Sequence, residues 1–323
     1  MASPVVRRKK LFVGAISEST YQNTYRTLEQ GKTQYDCLLK ATGCGESNST
    51  LACLRAVNAT ALQTTNCGFN PNLDPEIIPQ LPFTAFEKGE YMKIPTILGA
   101  CNEEGTKNVP QSIDTLSEVH SLLLSRAPSL TNSSISVLDT LYFTNQTFPV
   151  FPNSGKYWRP LSRAYAEIYS TCVDNIYQDI LAADDDAAAP TWNYRYGVLD
   201  PTHEAQGFGA YHVVEMFAIW GPNNTDGNPP KSYNTTNAAI IPVIRNYWTS
   251  FIRHLDPNVG KLGEAPVWGR RGKGRERLHF VTNGTAMESL PAEQVRRCEI
   301  LDPLVRVLEY EPAEGTVTEL KLS

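Results

Sequence analysis

No run of about 18 or more apolar residues occurs in the 323-residue chain, so the sequence holds no transmembrane helix. Basic charge is not in excess either. Against 34 Asp and Glu stand 29 Lys and Arg, a formal net charge of −5, which argues against a global phosphate-binding surface and against nucleic acid as a partner. Neither HExxH nor CxxC is present, and His203 and His212 lie too far apart to share one helix face, so no metal and no cofactor is expected. Gly-x-Ser-x-Gly, the strand-to-helix elbow of a serine nucleophile, is also missing. The nearest string, Gly45-Glu46-Ser47-Asn48-Ser49, lacks the final glycine and follows no strand, so it reads as a decoy. The apolar stretch Leu11 to Ile16, behind the basic cluster Arg7 to Lys10, is too short for a signal-peptide core.

Two features that are present nevertheless point to an export history. Seven Asn-x-Ser/Thr sequons occur, at Asn48, Asn58, Asn132, Asn145, Asn223, Asn234 and Asn283, where chance would give about three. Of the seven cysteines, Cys44 and Cys53 flank a polar Gly/Ser/Asn/Thr stretch, as in a small disulfide-closed loop, with scattered buried thiols as the alternative. An odd total leaves at least one thiol without an internal partner. An export-type sequence without an export signal leads to the expectation that the front of a longer secreted protein is missing.

The pattern along the chain is α/β. Leu11 to Ile16, Ile94 to Gly99 and the alternating Trp192, Tyr194, Tyr196, Val198 read as strands. Amphipathic helices are expected at about 24–41, ending at Gly43, then opening at Ser49 or Thr50, and again at about 160–181 and 241–255. Residues 65 to 82, with four prolines, read as loop. The tract Ala183 to Ala187 and the basic stretch Arg270 to Arg277 read as solvated loops.

Ligands and catalytic groups in α/β sheets collect beyond the strand ends. Two candidates sit there: the acidic turn Glu103-Glu104-Gly105 and His212 on a glycine-rich loop. His120, His203, His254 and His279 lack such a setting and read as surface or satisfied core imidazoles. Acid before histidine, 108 residues apart, fits the order of a nucleophile–acid–histidine triad.

Four pieces together resemble the C-terminal part of a type-B carboxylesterase, the family of fungal secreted lipases and cholinesterases. They are Leu11-Phe12-x-x-Ala15-Ile16, Gly43-Cys44 with Leu51-Ala52-Cys53-Leu54, Gly99-x-x-Asn102-Glu103-Glu104-Gly105-Thr106, and His212-x-x-Glu215 followed by Phe217-x-x-Trp220-Gly221. The resemblance implies a truncated α/β-hydrolase fold over residues 11–310, with a disordered basic leader at 1–10 and a tail at 311–323. It implies Glu104 as triad acid, His212 as general base, Glu215 as a supporting acid and the Cys44–Cys53 disulfide. Two positions depart from the family pattern: Glu103 where Asp is usual and Val213 where Gly is usual. The family's first half, with the serine and the oxyanion-hole glycines, has no counterpart here. The expected activity is hydrolysis of a small-molecule or lipid ester by the complete protein, secreted from the cell, with this chain alone inactive. The alternative is a noncatalytic hydrolase-fold binding or adhesion protein.

Overall fold

The computed structural model describes residues 1–144, 147–183 and 189–310. Asn145, most of the Ala183 to Ala187 tract and the expected tail at 311–323 lie outside them.

Five strands form one sheet in the order β1 (Ala15–Ser17), β2 (Thr96–Cys101), β3 (Thr191–Tyr196), β4 (Glu276–Phe280) and β5 (Ala286–Ser289). The first four run parallel, and β5 returns antiparallel to β4 as a hairpin. Around the sheet lie α1 (Pro4–Lys9), α2 (Leu28–Thr42), α3 (Thr50–Ala56), α4 (Ala59–Gln63), α5 (Pro82–Glu87), α6 (Leu116–Arg126) and α7 (Asn132–Leu138). After them come α8 (Trp158–Ala166), α9 (Cys172–Ala183), α10 (Pro201–Ala205), α11 (Met216–Ile219), α12 (Ile240–His254) and α13 (Ala292–Leu308). Residues 1–10, expected as a disordered leader, thus carry a helix: Pro4 opens it, and Met1 packs beside Tyr91, Leu98 and Leu181.

The long helix expected at 160–181 is α8 and α9 joined by a π-turn at Glu167–Thr171. Its register with the sheet is set by polar contacts. Along β3, Trp192, Tyr194 and Tyr196 enter an aromatic core with Tyr247, Trp248, Phe251, Trp268 and Phe280. Between them Thr191 and Asn193 turn to α9 and not to water: Asn193 donates to Asp174 Oδ2 at 2.7 Å and Thr191 Oγ1 donates to Gln178 Oε1 at 2.9 Å, while Arg195 stays half-exposed. The period of two therefore separates an apolar buried face from a polar buried face. Within the basic stretch after Trp268, Arg270 and 272–274 stay exposed as a solvated loop would, but Arg271 and Arg277 are buried, against expectation. Arg271 and Arg275 both reach Asp179, at 2.9 and 3.0 Å, Arg277 reaches Glu288 at 2.7 Å, and Arg270 lies over Trp192.

Helix α2 starts later than expected, at a capping box made by Thr27 and Gln30, because Tyr25 and Arg26 are held in bridges to Tyr310 and Asn72. It ends as read, with Gly43 left-handed at φ 70°. Cys44–Cys53 is a disulfide, as the spacing suggested. Cys37–Cys67 closes the same helical flap, and Cys172–Cys298 ties α9 to α13. Cys101 is the unpaired, buried thiol.

Strand β1 is shorter than the apolar run around it. It pairs with β2 on one side, and among the described residues no strand pairs with the other. Ahead of it Leu11 and Val13 stay exposed, at 62% and 67%. Beside the open edge an apolar groove of about 220 Å³ is lined by Met1, Ile16, Tyr21, Phe86, Leu98 and Tyr177, among others. Such an edge is a template for pairing with another chain. We expect the isolated chain to self-associate as concentration rises in sedimentation velocity, and the double substitution Leu11→Lys, Val13→Lys to suppress this while leaving the melting temperature unchanged. A wild-type chain monomeric at every concentration would show that the edge is covered.

Candidate active site

All six residues of β2 are buried, so the chain leaving its C-terminal end begins in the interior. Glu104 follows three residues later and is 1% exposed. A charged carboxylate at that depth needs hydrogen bonds, and it has them: Oε1 accepts from the Cys101 N–H and Oε2 bonds His212 Nδ1. The turn depends on Gly105, where a Cβ would sit 1.9 Å from the Ser162 carbonyl oxygen. Helix α8 therefore presses directly on the acid turn.

His212 arrives from the loop after β3. That loop is stitched to the acid turn by the Glu103 N–H to Ala210 O bond at 2.9 Å, and by Thr106 Oγ1 donating to Phe208 O at 2.9 Å. Arg159, on α8, clamps the two from the side. Its Nη2 lies 2.9 Å from Glu103 Oε1, and its Nη1 donates to Gly207 O at 2.9 Å. The replacement of the usual Asp by Glu at position 103 thus leaves a working ion pair. Lys107 caps the loop from outside, 3.7 Å over the Phe208 ring.

Behind the histidine lies a second carboxylate. Glu215 is fully buried and takes three donors: Ser19 Oγ at 2.6 Å, Tyr194 OH at 3.1 Å and Cys101 Sγ at 2.8 Å. Ser19 Oγ in turn accepts the Val213 N–H at 3.0 Å. That bond holds Val213 at φ 61°, a left-handed backbone that a β-branched residue adopts only under constraint. The family departure at Val213 is therefore accommodated by the network rather than by a glycine.

The electrostatics follow from this packing. Burial opposes a charge on His212, but the Glu104 hydrogen bond and charge, with Glu215 behind, overcome it and raise its pKa above 6.5. Burial and then the Glu104 charge raise the Glu215 pKa, against the bonds from Cys101 and Ser19. With Nδ1 engaged by Glu104, the nitrogen of His212 left to exchange a proton with a substrate or nucleophile is Nε2. Tyr21 stands beside it, ring centroids 5.8 Å apart.

The structure thus brings together Glu104, His212 and Glu215. It keeps the other histidines apart in ordinary roles: His120 on Asp139 at 2.8 Å, His279 on Glu288 at 3.1 Å, and His203 edge-on to Tyr211. Ser47 lies in the exposed Cys44–Cys53 loop. Sequence reasoning missed Ser19, Tyr194, Cys101 and Arg159. Ser19, in a polar turn just past β1, carried the one usable signal; Arg159 is an unremarkable helix residue until its partners are seen. Among the described residues no cluster of His, Cys, Asp and Glu could hold a metal ion.

Comparison with known proteins places the chain in a family and a fold. The Carboxylesterase family model matches residues 1–297. Secreted lipase 4 of Gibberella zeae is 26% identical, over 79% of this chain and 46% of that protein. Lipase 1 of Geotrichum candidum is 25% identical, over 90% of this chain and 53% of that one. The crystal structure of Aspergillus niger EstA superimposes with a TM-score of 0.83 at 28% identity, covering 96% of this chain and 62% of that chain. The architecture is that of the α/β-hydrolase fold, and the chain spans about half the length of the curated relatives it matches.

A histidine whose pKa is raised by a carboxylate contributes stability that is complete below its unfolded value and is lost as pH rises through the folded one. We therefore expect His212 to titrate above 6.5 by NMR of its ring protons, and Glu104→Gln to move that midpoint down. Stability of the wild type over the variant should shrink as pH rises through the folded midpoint; an unmoved midpoint in Glu104→Gln would show that the pair is not ionic.

Proposed function

The chain belongs to the carboxylesterase family, and on that premise we propose that it carries the acid and the general base of a secreted carboxylic ester hydrolase, acting on small-molecule or lipid esters through a Ser-Glu-His triad. The observation that carries this reading is the bond between the buried Glu104 carboxylate and His212 Nδ1. Glu104 fixes the imidazole tautomer and supports the imidazolium without itself taking the proton. Nε2 takes the proton of an attacking hydroxyl as the tetrahedral intermediate forms, then returns it to the leaving alcohol; in the second half-reaction it activates water against the acyl-enzyme. Glu215 and Ser19 keep the histidine loop in place.

In this reading the nucleophile is none of the described groups around His212. Ser19 is the hydroxyl nearest the loop by bonding, but it is 3% exposed and already engaged with Glu215 and the Val213 N–H. No Gly-x-Ser-x-Gly stands anywhere in the 323 residues. Loss of a serine nucleophile lowers turnover by about 10⁶, so this chain by itself is expected to be inactive. The missing Gly-x-Ser-x-Gly is what speaks for a noncatalytic binding protein; against it stands the buried acid aligned on an imidazole, which a binding surface does not require.

Secretion is supported by the three disulfides and by the secreted relatives. Asn48, Asn58, Asn132, Asn223, Asn234 and Asn283 are all exposed, so glycosylation at these six is part of the proposal. A fall in mass on enzymatic deglycosylation of the secreted product checks it; a product that keeps its mass counts against it.

The activity is tested in two assays of p-nitrophenyl butyrate hydrolysis. The purified chain should not exceed the buffer rate; turnover lost in His212→Ala would overturn the inactivity. A product of the same gene extended upstream through an in-frame Gly-x-Ser-x-Gly should hydrolyse the ester and lose at least about 10³-fold in His212→Ala. A folded extended product that is inert would sink the esterase reading.

A further inference from the structure

Paired basic residues occur at three places in the chain: Arg7 to Lys10, Arg270-Arg271 and Arg296-Arg297. The fold holds two of the three fast. The Arg271 side chain is fully buried, with Nη2 2.9 Å from Asp179 Oδ1, and its backbone N–H donates to Thr191 O at 2.7 Å. Arg296 and Arg297 lie inside α13, where Arg297 donates twice to Glu167, at 2.8 and 2.7 Å, and the next residue, Cys298, is bonded to Cys172.

The cluster from Arg7 to Lys10 has no such restraint. Arg7, Arg8 and Lys9 form the last turn of α1, a helix of six residues that buries none of them. A helix so short is not stable by itself, and its start is weak: Ser3 makes no capping bond, and its hydroxyl is buried without a partner. Arg7 Nε is buried without a partner as well, so unwinding α1 returns two unmet polar groups to water. Lys10 then breaks the helix at φ 48°, a left-handed backbone that is costly for any residue with a Cβ. Arg8, Lys9, Lys10 and Leu11 are all exposed, residues 11–13 belong to no helix or strand, and pairing with β2 begins only at Ala15. The backbone around Arg8 can therefore be drawn out at little cost, whereas the other two pairs must first give up buried contacts.

We propose that the Arg8–Lys9 bond is a processing site for an endoprotease that reads paired basic residues. Of the pairs within the cluster, only Arg7-Arg8 ends in arginine, and acidic subsites of the protease would take these two side chains. Water adds across the bond: its oxygen joins the Arg8 carbonyl carbon, giving a carboxylate, and the Lys9 nitrogen leaves with a proton as a new amine. A run of charge by itself is an ordinary solvated feature; what distinguishes this one is that the same dipeptide pattern is locked at its two other occurrences. All five strands, Glu104 and His212 lie downstream, so the cut leaves the sheet and the acid–histidine pair on one chain. That such a protease meets the protein in the cell rests on the secretion reading above; the susceptibility of the bond does not.

The test uses purified kexin, an endoprotease that cuts after Lys-Arg and Arg-Arg, on the 323-residue chain, native and in parallel after reduction, alkylation and heat denaturation. Mass spectrometry identifies the fragments. The native chain should be cut after Arg8 at least about a hundredfold faster than after Arg271 or Arg297, because cleavage follows the population of the locally opened form. In the denatured chain the three rates should fall within about tenfold of one another. Arg8→Gln, at an exposed position, should abolish the native cut and leave the melting temperature unchanged. A native chain cut first after Arg271 or Arg297, a native chain left whole while the denatured one is cut, or an Arg8→Gln chain cut as before would each overturn the proposal. N-terminal sequencing of the secreted product should find chains beginning at Lys9; a product secreted with that bond intact would overturn the processing role and leave the secretion reading standing.

Discussion

Two carboxylates taken out of water, Glu104 and Glu215, set the terms for everything around the strand ends. Neither can stay charged at that depth without donors, and the donors come from four separate parts of the chain: the Cys101 backbone and thiol, the His212 ring, the Ser19 hydroxyl and the Tyr194 phenol. Residues far apart in sequence are thereby drawn to one spot. The loop conformations, including the left-handed Val213, follow from that convergence. The aromatic core on one face and the α8–α9 helix on the other supply the rigid walls against which it occurs.

The parts of this arrangement that are legible in sequence are the local ones. Thr27, Gln30 and Gly43 announce the ends of α2 through capping chemistry, and the alternation around Trp192 announces β3. Glu104 and His212 stand out as candidates because each follows a strand end, where a strand pattern stops and a polar turn begins. What was not legible has a common cause. The burial of Arg271 and Arg277 depends on Asp179 and Glu288, and no periodicity encodes which acid a base will meet. The same holds for Arg159, whose two partners lie 56 residues before it and 48 after it. Strand β1 is the converse case: the apolar run from Leu11 predicts a longer strand than the three residues that pair, because pairing on one side only gives the first half of the run nothing to lie against.

Buried polarity is also what distinguishes the two faces of the sheet. The α12 face is held by ring packing, which is tolerant of small displacements. On the α9 face Asn193, Gln178 and Asp174 form directional bonds, in which a register shift would leave several groups unsatisfied at once. The basic stretch before β4 closes that face with ion pairs. The chain therefore divides its labour, with bulk burial on one side of the sheet and register on the other.

The pattern of thiols carries a consequence for biosynthesis. Cys37–Cys67 and Cys44–Cys53 join residues close in sequence, so each pair is able to close soon after it leaves the ribosome. Cys172 must wait for a partner 126 residues further along. Throughout that interval it shares the nascent chain with Cys101, whose shelter in β2 is incomplete until β3, some ninety residues later, lies alongside. The order of synthesis thus exposes two unpaired thiols together, and their separation in the finished fold depends on the sheet assembling before oxidation catches them.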